Sequence, residues 1–184
     1  GNTSYCTAVG FNALENNTAN NITAVGHSAL RANTTGANNT AIGEQALATN
    51  TTASHNTAVG YRAHYGGSGN GWGNTCVGRE AGYDITSAWG LTLIGNESGK
   101  NITTGQDNTC IGHNTATSLT TGIQNTIVGV SAGNSLTTGI SNVLLGMNAG
   151  TNQISTGSNQ LYIARAGSAP GNDELWIYGG SLGQ

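Results

Sequence analysis

Few of the 184 residues are charged (7%) or aromatic (5%), and proline, methionine and phenylalanine occur once each. Five Lys and Arg against eight Asp and Glu give a net charge of −3, which provides no basic footprint for nucleic acid or an anionic membrane surface. No run approaches the ~18 apolar residues of a membrane span, and no charged stretch followed by an apolar one opens the chain, so membrane insertion is not expected. Cys6, Cys76 and Cys110 make an odd count with no C-x-x-C pairing. His27, His55, His64 and His113 lack metal-ligand spacing, and no nucleophile triad or phosphate loop is visible. No cofactor and no metal are expected.

What the chain does have is a period. Asn56-Thr57-Ala58-Val59-Gly60 is the cleanest copy of a pentapeptide whose closing glycines fall at Gly10, Gly26, Gly43, Gly60, Gly78, Gly95, Gly112, Gly129 and Gly146, in steps of 16, 17, 17, 18, 17, 17, 17 and 17 residues. Low charge with low hydrophobicity would also suit a disordered linker, but a disordered tract has no reason to hold apolar residues at fixed phase. A regular unit with one apolar patch predicts an all-β parallel solenoid, or β-roll, of 17-residue coils stacked on their neighbours. Residues 1–158 are assigned to about nine coils, with 1–5 continuing a longer fibre, and residues 159–184 to C-terminal capping strands.

Strand side chains alternate between faces. One row then holds Val25, Ile42, Val59, Val77, Ile94, Ile111, Val128 and Leu145, and the other Ala24, Ala41, Ala58, Cys76, Leu93, Cys110, Ile127 and Leu144. Both are apolar, yet a coil has one interior, so the second face needs a partner. This predicts a homo-oligomer of parallel chains, most simply a trimer. A β-branched row so regular is assigned to the core, and Cys76 and Cys110, roughly 10 Å apart in coils two steps removed, to small buried hydrophobes rather than a disulfide.

Each closing glycine should mark a corner. Ala13, Ala29, Ala46, Ala63, Ala81, Ala132 and Ala149 lie three residues past it. The next slot holds Leu14, Leu30 and Leu47 early on and Gly82, Gly99, Ala116 and Gly133 later, where Ile85, Ile102, Leu119 and Leu136 appear three residues on. The exchange keeps one large residue per coil, so the cross-section should change near coils four and five. Thr-Thr-Gly at 34–36, 103–105, 120–122 and 137–139 predicts turns with glycine in the left-handed position. Asn39, Asn56, Asn74, Asn108, Asn125 and Asn142 share a phase suited to a hydrogen-bonded ladder. At the end, Gln160–Ala164 and Leu175–Gly179 read as closing strands, with Pro170 in the loop between them.

The NTAVG and NTAIG units, the alanine past the glycine and the TTG corners over residues 6 to about 164 resemble the head repeats of trimeric autotransporter adhesins and, more closely, the repeats of bacteriophage and viral tail fibres. The closing NQLYIA and LWIYGG segments are similar to the strand pair that precedes a self-cleaving chaperone domain in such fibres. The resemblance implies a homotrimeric extracellular fibre, on a virion tail or a cell surface, that adheres to a cell-surface glycan or protein.

Coils four and five interrupt the monotony. By phase, Tyr65 should stack on Tyr83 and Trp72 on Trp89, one coil apart, around the glycine-rich loop of residues 64–73. With Tyr61 and His64 they form a candidate sugar-stacking site, set against the plainer reading of an aromatic cluster that stiffens the loop or a subunit contact. Calcium is rejected there because the loop lacks the aspartates of calcium-binding repeats. Glu80 and Glu97 share a phase at ~5 Å, a spacing a retaining glycosidase could use, which opens a tailspike-like hydrolase reading. Solvated surface carboxylates beside Arg79 and Lys100 are the simpler expectation. A further alternative is ice binding by the ladder of Thr23, Thr40, Thr57, Thr75, Thr92, Thr109 and Thr126 beside the Val/Ile row, which requires that face to point outward.

Overall fold

The computed structural model describes residues 5–67, 71–151, 156–165 and 174–179. The strands are β1 (Cys6–Val9), β2 (Ile22–Val25), β3 (Thr40–Ile42), β4 (Thr57–Val59), β5 (Thr75–Val77), β6 (Thr92–Ile94), β7 (Thr109–Ile111), β8 (Thr126–Val128), β9 (Val143–Leu145), β10 (Leu161–Arg165) and β11 (Glu174–Gly179). They form one sheet in chain order. β1 to β10 run parallel, one per coil, giving a β-solenoid of about nine turns with no helix among the described residues. Identical phases lie side by side, as Thr40, Ala41 and Ile42 pair with Thr57, Ala58 and Val59. The sheet continues across residue 159, and the direction reverses only where β11 pairs antiparallel with β10. Residues 1–4 and the Pro170 loop lie outside the described residues.

The corners explain why most strands are only three residues long. Gly60 has φ of 132°, and a Cβ there would sit 2.5 Å from the carbonyl oxygen of Gly78 in the next coil. The stacked corner therefore excludes any side chain on both conformational and steric grounds. Beyond it the chain turns through left-handed residues at fixed slots, two and four past the glycine, such as Arg62 (φ 52°) and His64 (φ 49°). The Thr-Thr-Gly expectation is corrected here. Gly36, Gly105, Gly122 and Gly139 do not have positive φ; the left-handed residues come two positions later, at Asn38, Asp107, Gln124 and Ser141. Glycine is required for room instead, because a Cβ at Gly36 would overlap the Ala53 carbonyl.

The larger correction concerns the sheet faces. Ala24, Ala41, Ala58, Cys76, Leu93, Cys110, Ile127 and Leu144 point inward and are fully buried. The Val/Ile row points outward with the threonines, and Ile42 and Ile94 are about two-fifths exposed at 41% and 39%. Fit inside the coil decides this. A Cβ on Gly99 would lie 2.8 Å from Leu93 Cδ2 and 2.9 Å from Ile102 Cδ1, so the inner strand residue and the turn share one small volume. Cys76 and Cys110 are indeed buried and free, and burial raises both thiol pKa values, that of Cys110 to about 12.

The asparagine ladder forms as expected. Asn39 Oδ1 accepts the backbone N–H of Asn56, and Asn56 Oδ1 that of Asn74, both at 2.9 Å. Their Nδ2 groups donate across the coil to the carbonyls of Ala53 and Gly71, so the ladder ties the strand side to the opposite loop. Leu91 takes this slot in one coil, and the ladder resumes at Asn108, Asn125 and Asn142.

Candidate functional site

Equal spacing along the coil puts like residues in register, and both predicted stacks form. Tyr65 and Tyr83 lie 5.1 Å apart at 7°, and Trp72 and Trp89 5.4 Å apart at 3°. Stacking consumes the facing ring surfaces. Trp72 keeps an outer one: it is 55% exposed, and its column neighbour in the preceding coil is Ser54, too small to cover an indole. Tyr61 is exposed at 37%, while Tyr65, Tyr83 and Trp89 are half-buried. Residues 68–70 of the glycine-rich loop lie outside the described residues.

His64 does not belong to this surface. It occupies the interior slot filled by Leu30 and Leu47 in earlier coils and is fully buried, with neither ring nitrogen hydrogen-bonded. Burial lowers its pKa to about 4, which keeps the imidazole neutral. A ligand on the aromatic surface cannot reach it.

One residue of this surface was missed in the sequence. Arg62, between Tyr61 and Tyr65 in the chain, lays its guanidinium 5.1 Å from the Tyr61 ring centre and 5.5 Å from that of Tyr65, and its Nε donates to Gln45 Oε1 at 2.6 Å. The i, i+1, i+4 spacing of Tyr61, Arg62 and Tyr65 held the signal. It was hidden because the left-handed turn that brings them together has no propensity signature.

Glu80 and Glu97 are not free carboxylates on the surface. Glu80 is buried and bonds Lys100 at 2.7 Å and Arg79 at 3.0 Å, while Glu97 meets Arg79 at 2.7 Å and Lys100 at 3.6 Å. The hydrogen bond from Lys100 is the main cause of a lowered Glu80 pKa. Two carboxylates each held by two cations form a structural lattice, and the lowered pKa of Glu80 is the opposite of what a general acid in glycoside hydrolysis needs. Among the described residues no group of three or more His, Cys, Asp or Glu could hold a metal ion, and no helix is long and apolar enough to cross a membrane.

The outer sheet face runs along the solenoid from β1 to β9. Its two rows run from Thr7 and Val9 to Val143 and Leu145 without a charged residue. Beside it, a column descends from Trp72 and Trp89 through Gln106 and Ile123 to Ile140, which is 41% exposed. No protein-family model, curated protein or solved structure matches the chain.

Proposed function

We propose that the chain is a shaft segment of an extracellular adhesive fibre, on a virion tail or a cell surface, that assembles as a parallel homotrimer and binds a cell-surface receptor. The outward rows of threonine and Val/Ile carry this reading. Nine coils at ~4.8 Å give a face about 43 Å long, which two neighbouring chains would share in a parallel trimer. An uncharged strip of this length, left in water, is a liability that self-association removes. The tail-fibre resemblance supports the trimer, and the open face of Trp72 supports a glycan as receptor. Glu80 and Glu97 serve stability in this reading, and no catalysis is assigned.

The orientation of the same face favours a second reading. Its threonines and β-branched residues point outward in two straight ranks, the arrangement an ice-binding surface requires. The two readings compete for one face, so oligomeric mass and ice activity measured together separate them. Light scattering on the purified protein should give three times the chain mass, with no thermal hysteresis. A monomer that shows thermal hysteresis would replace the fibre with the ice-binding reading. In the trimer, Trp72→Ala with Trp89→Ala is expected to weaken glycan binding at least about tenfold, the loss of one stacking contact worth ~1.4 kcal/mol. Unchanged binding would remove the tryptophans from the site.

A further inference from the structure

We propose that Tyr61, Arg62, Tyr65 and Tyr83 form a subsite for the carboxylate of an acidic sugar, a uronic or sialic acid; this rests on the glycan reading above. Only five cationic side chains occur in the sequence, and Arg62, Arg79 and Lys100 lie on neighbouring coils four to six. Arg79 and Lys100 are each spent on both Glu80 and Glu97. Arg62 is bound differently. Gln45 takes its Nε–H and two tyrosine rings flank the guanidinium, but among the described residues neither terminal nitrogen has a hydrogen-bond or carboxylate partner. Glu80, the column neighbour of Arg62 in the next coil, feels its charge but makes its ion pairs with Arg79 and Lys100, and neither Asp84, next to Tyr83, nor Glu44, the column neighbour of Tyr61, makes an ion pair with Arg62.

The result is a guanidinium fixed by contacts that leave its carboxylate-binding edge unused. Such a fork matches a carboxylate with two parallel hydrogen bonds, and prior fixing reduces the ordering lost on binding. The hydroxyls of Tyr61, Tyr65 and Tyr83 likewise bond nothing among the described residues, and so remain available to the hydroxyls of a sugar ring. A neutral sugar would leave the cation's edge unmatched, whereas a uronic or sialic acid uses both halves of the cluster.

The test is an array of sialylated, uronic-acid and matched neutral glycans, followed by titration of each glycan bound. Acidic glycans should bind, their carboxyl-reduced counterparts at least about tenfold more weakly, and Arg62→Gln should cause a similar loss with the melting temperature unchanged. Arg62→Lys, which keeps the charge but not the fork, should recover only part of the binding. Equal binding of neutral and acidic glycans, or of reduced and unreduced ones, overturns this subsite and leaves the glycan reading standing. Failure of the unaltered protein to bind any glycan overturns both. The comparison of reduced with unreduced glycan uses the unaltered protein, so it decides the matter even if Arg62→Gln folds poorly.

Discussion

In coils two and three the strand gives Ala24 and Ala41 to the interior, and the slot four past the corner gives Leu30 and Leu47. In coils six and eight the strand gives Leu93 and Ile127, and that slot is Gly99 and Gly133, with Ile102 and Leu136 three residues on. The backbone path is the same, and only the allocation of volume differs. The early solution places leucine at φ near 50°, a left-handed conformation that costs about 1–2 kcal/mol, offset by about 2 kcal/mol for burying the side chain. The later solution puts glycine at the strained position and buries the large residue where no strain arises.

Coil four joins the two and satisfies neither. Asn50 Nδ2 donates to Asn33 Oδ1 at 2.8 Å, and Asn33 Nδ2 to Asn17 Oδ1 at 2.7 Å, so the early coils carry a second amide ladder in the slot that later holds Ile85 and Ile102. The next rung is Gly67, and Asn50 Oδ1 is left buried without a partner. His64 enters the same space, with its Nε2 3.0 Å from where a Cβ on Gly67 would stand, and is itself unpaired. A join between two packing solutions thus collects unmatched polar atoms, each a cost of about 1–3 kcal/mol.

The sharpest way to break the comparison is to force one solution on the other. Gly99→Leu places the early residue in a late coil against Leu93 and Ile102, and is expected to destabilise by about 3 kcal/mol or more in denaturant unfolding. Adding Leu93→Ala and Ile102→Asn, which rebuilds the early set, should recover much of that loss; no recovery would show that the two solutions are not interchangeable.

Acid probes the join itself. The His64 pKa is about 6.5 in the unfolded chain and about 4 in the fold, so unfolded chains take up a proton first as pH falls. The stability is fully present above pH 6.5 and is lost progressively down to about pH 4, by about 3 kcal/mol at ~1.4 kcal/mol per pH unit. Glu80 adds to the acid loss at lower pH, as its depressed pKa is passed. In His64→Leu the stability–pH curve should be flat from pH 6.5 to about 5, above the onset of the Glu80 loss; if that stretch is unchanged, another group is responsible.

At neutral pH, His64→Leu with Gly67→Asn gives coil four the early set and offers Asn50 Oδ1 an amide donor. A gain of about 1–2 kcal/mol is expected by thermal unfolding. The smallest effect concerns inner against outer face. Val77→Thr on the outside should change the stability of the isolated chain by under about 0.5 kcal/mol, whereas Leu93→Thr inside should cost several times that. Equal losses would contradict the assignment of the faces.

The sequence alone determined the period, the parallel register, the glycine corners, the asparagine ladder and both aromatic stacks. A fixed repeat sets phase, and phase in a solenoid is position. It also held the exchange of Leu47 for Gly82 and Ile85 that marks the join. Which strand face lies inside was decided only by the tertiary structure. Alternation separates two apolar rows without ranking them, and the choice belongs to residues that meet across the coil: Cys76 against Gly82, Leu93 against Gly99. The same holds for Arg62 and for His64, one moved to the surface site and the other out of it. A left-handed turn aims their side chains, and contacts between coils, rather than local preference, hold that turn in place.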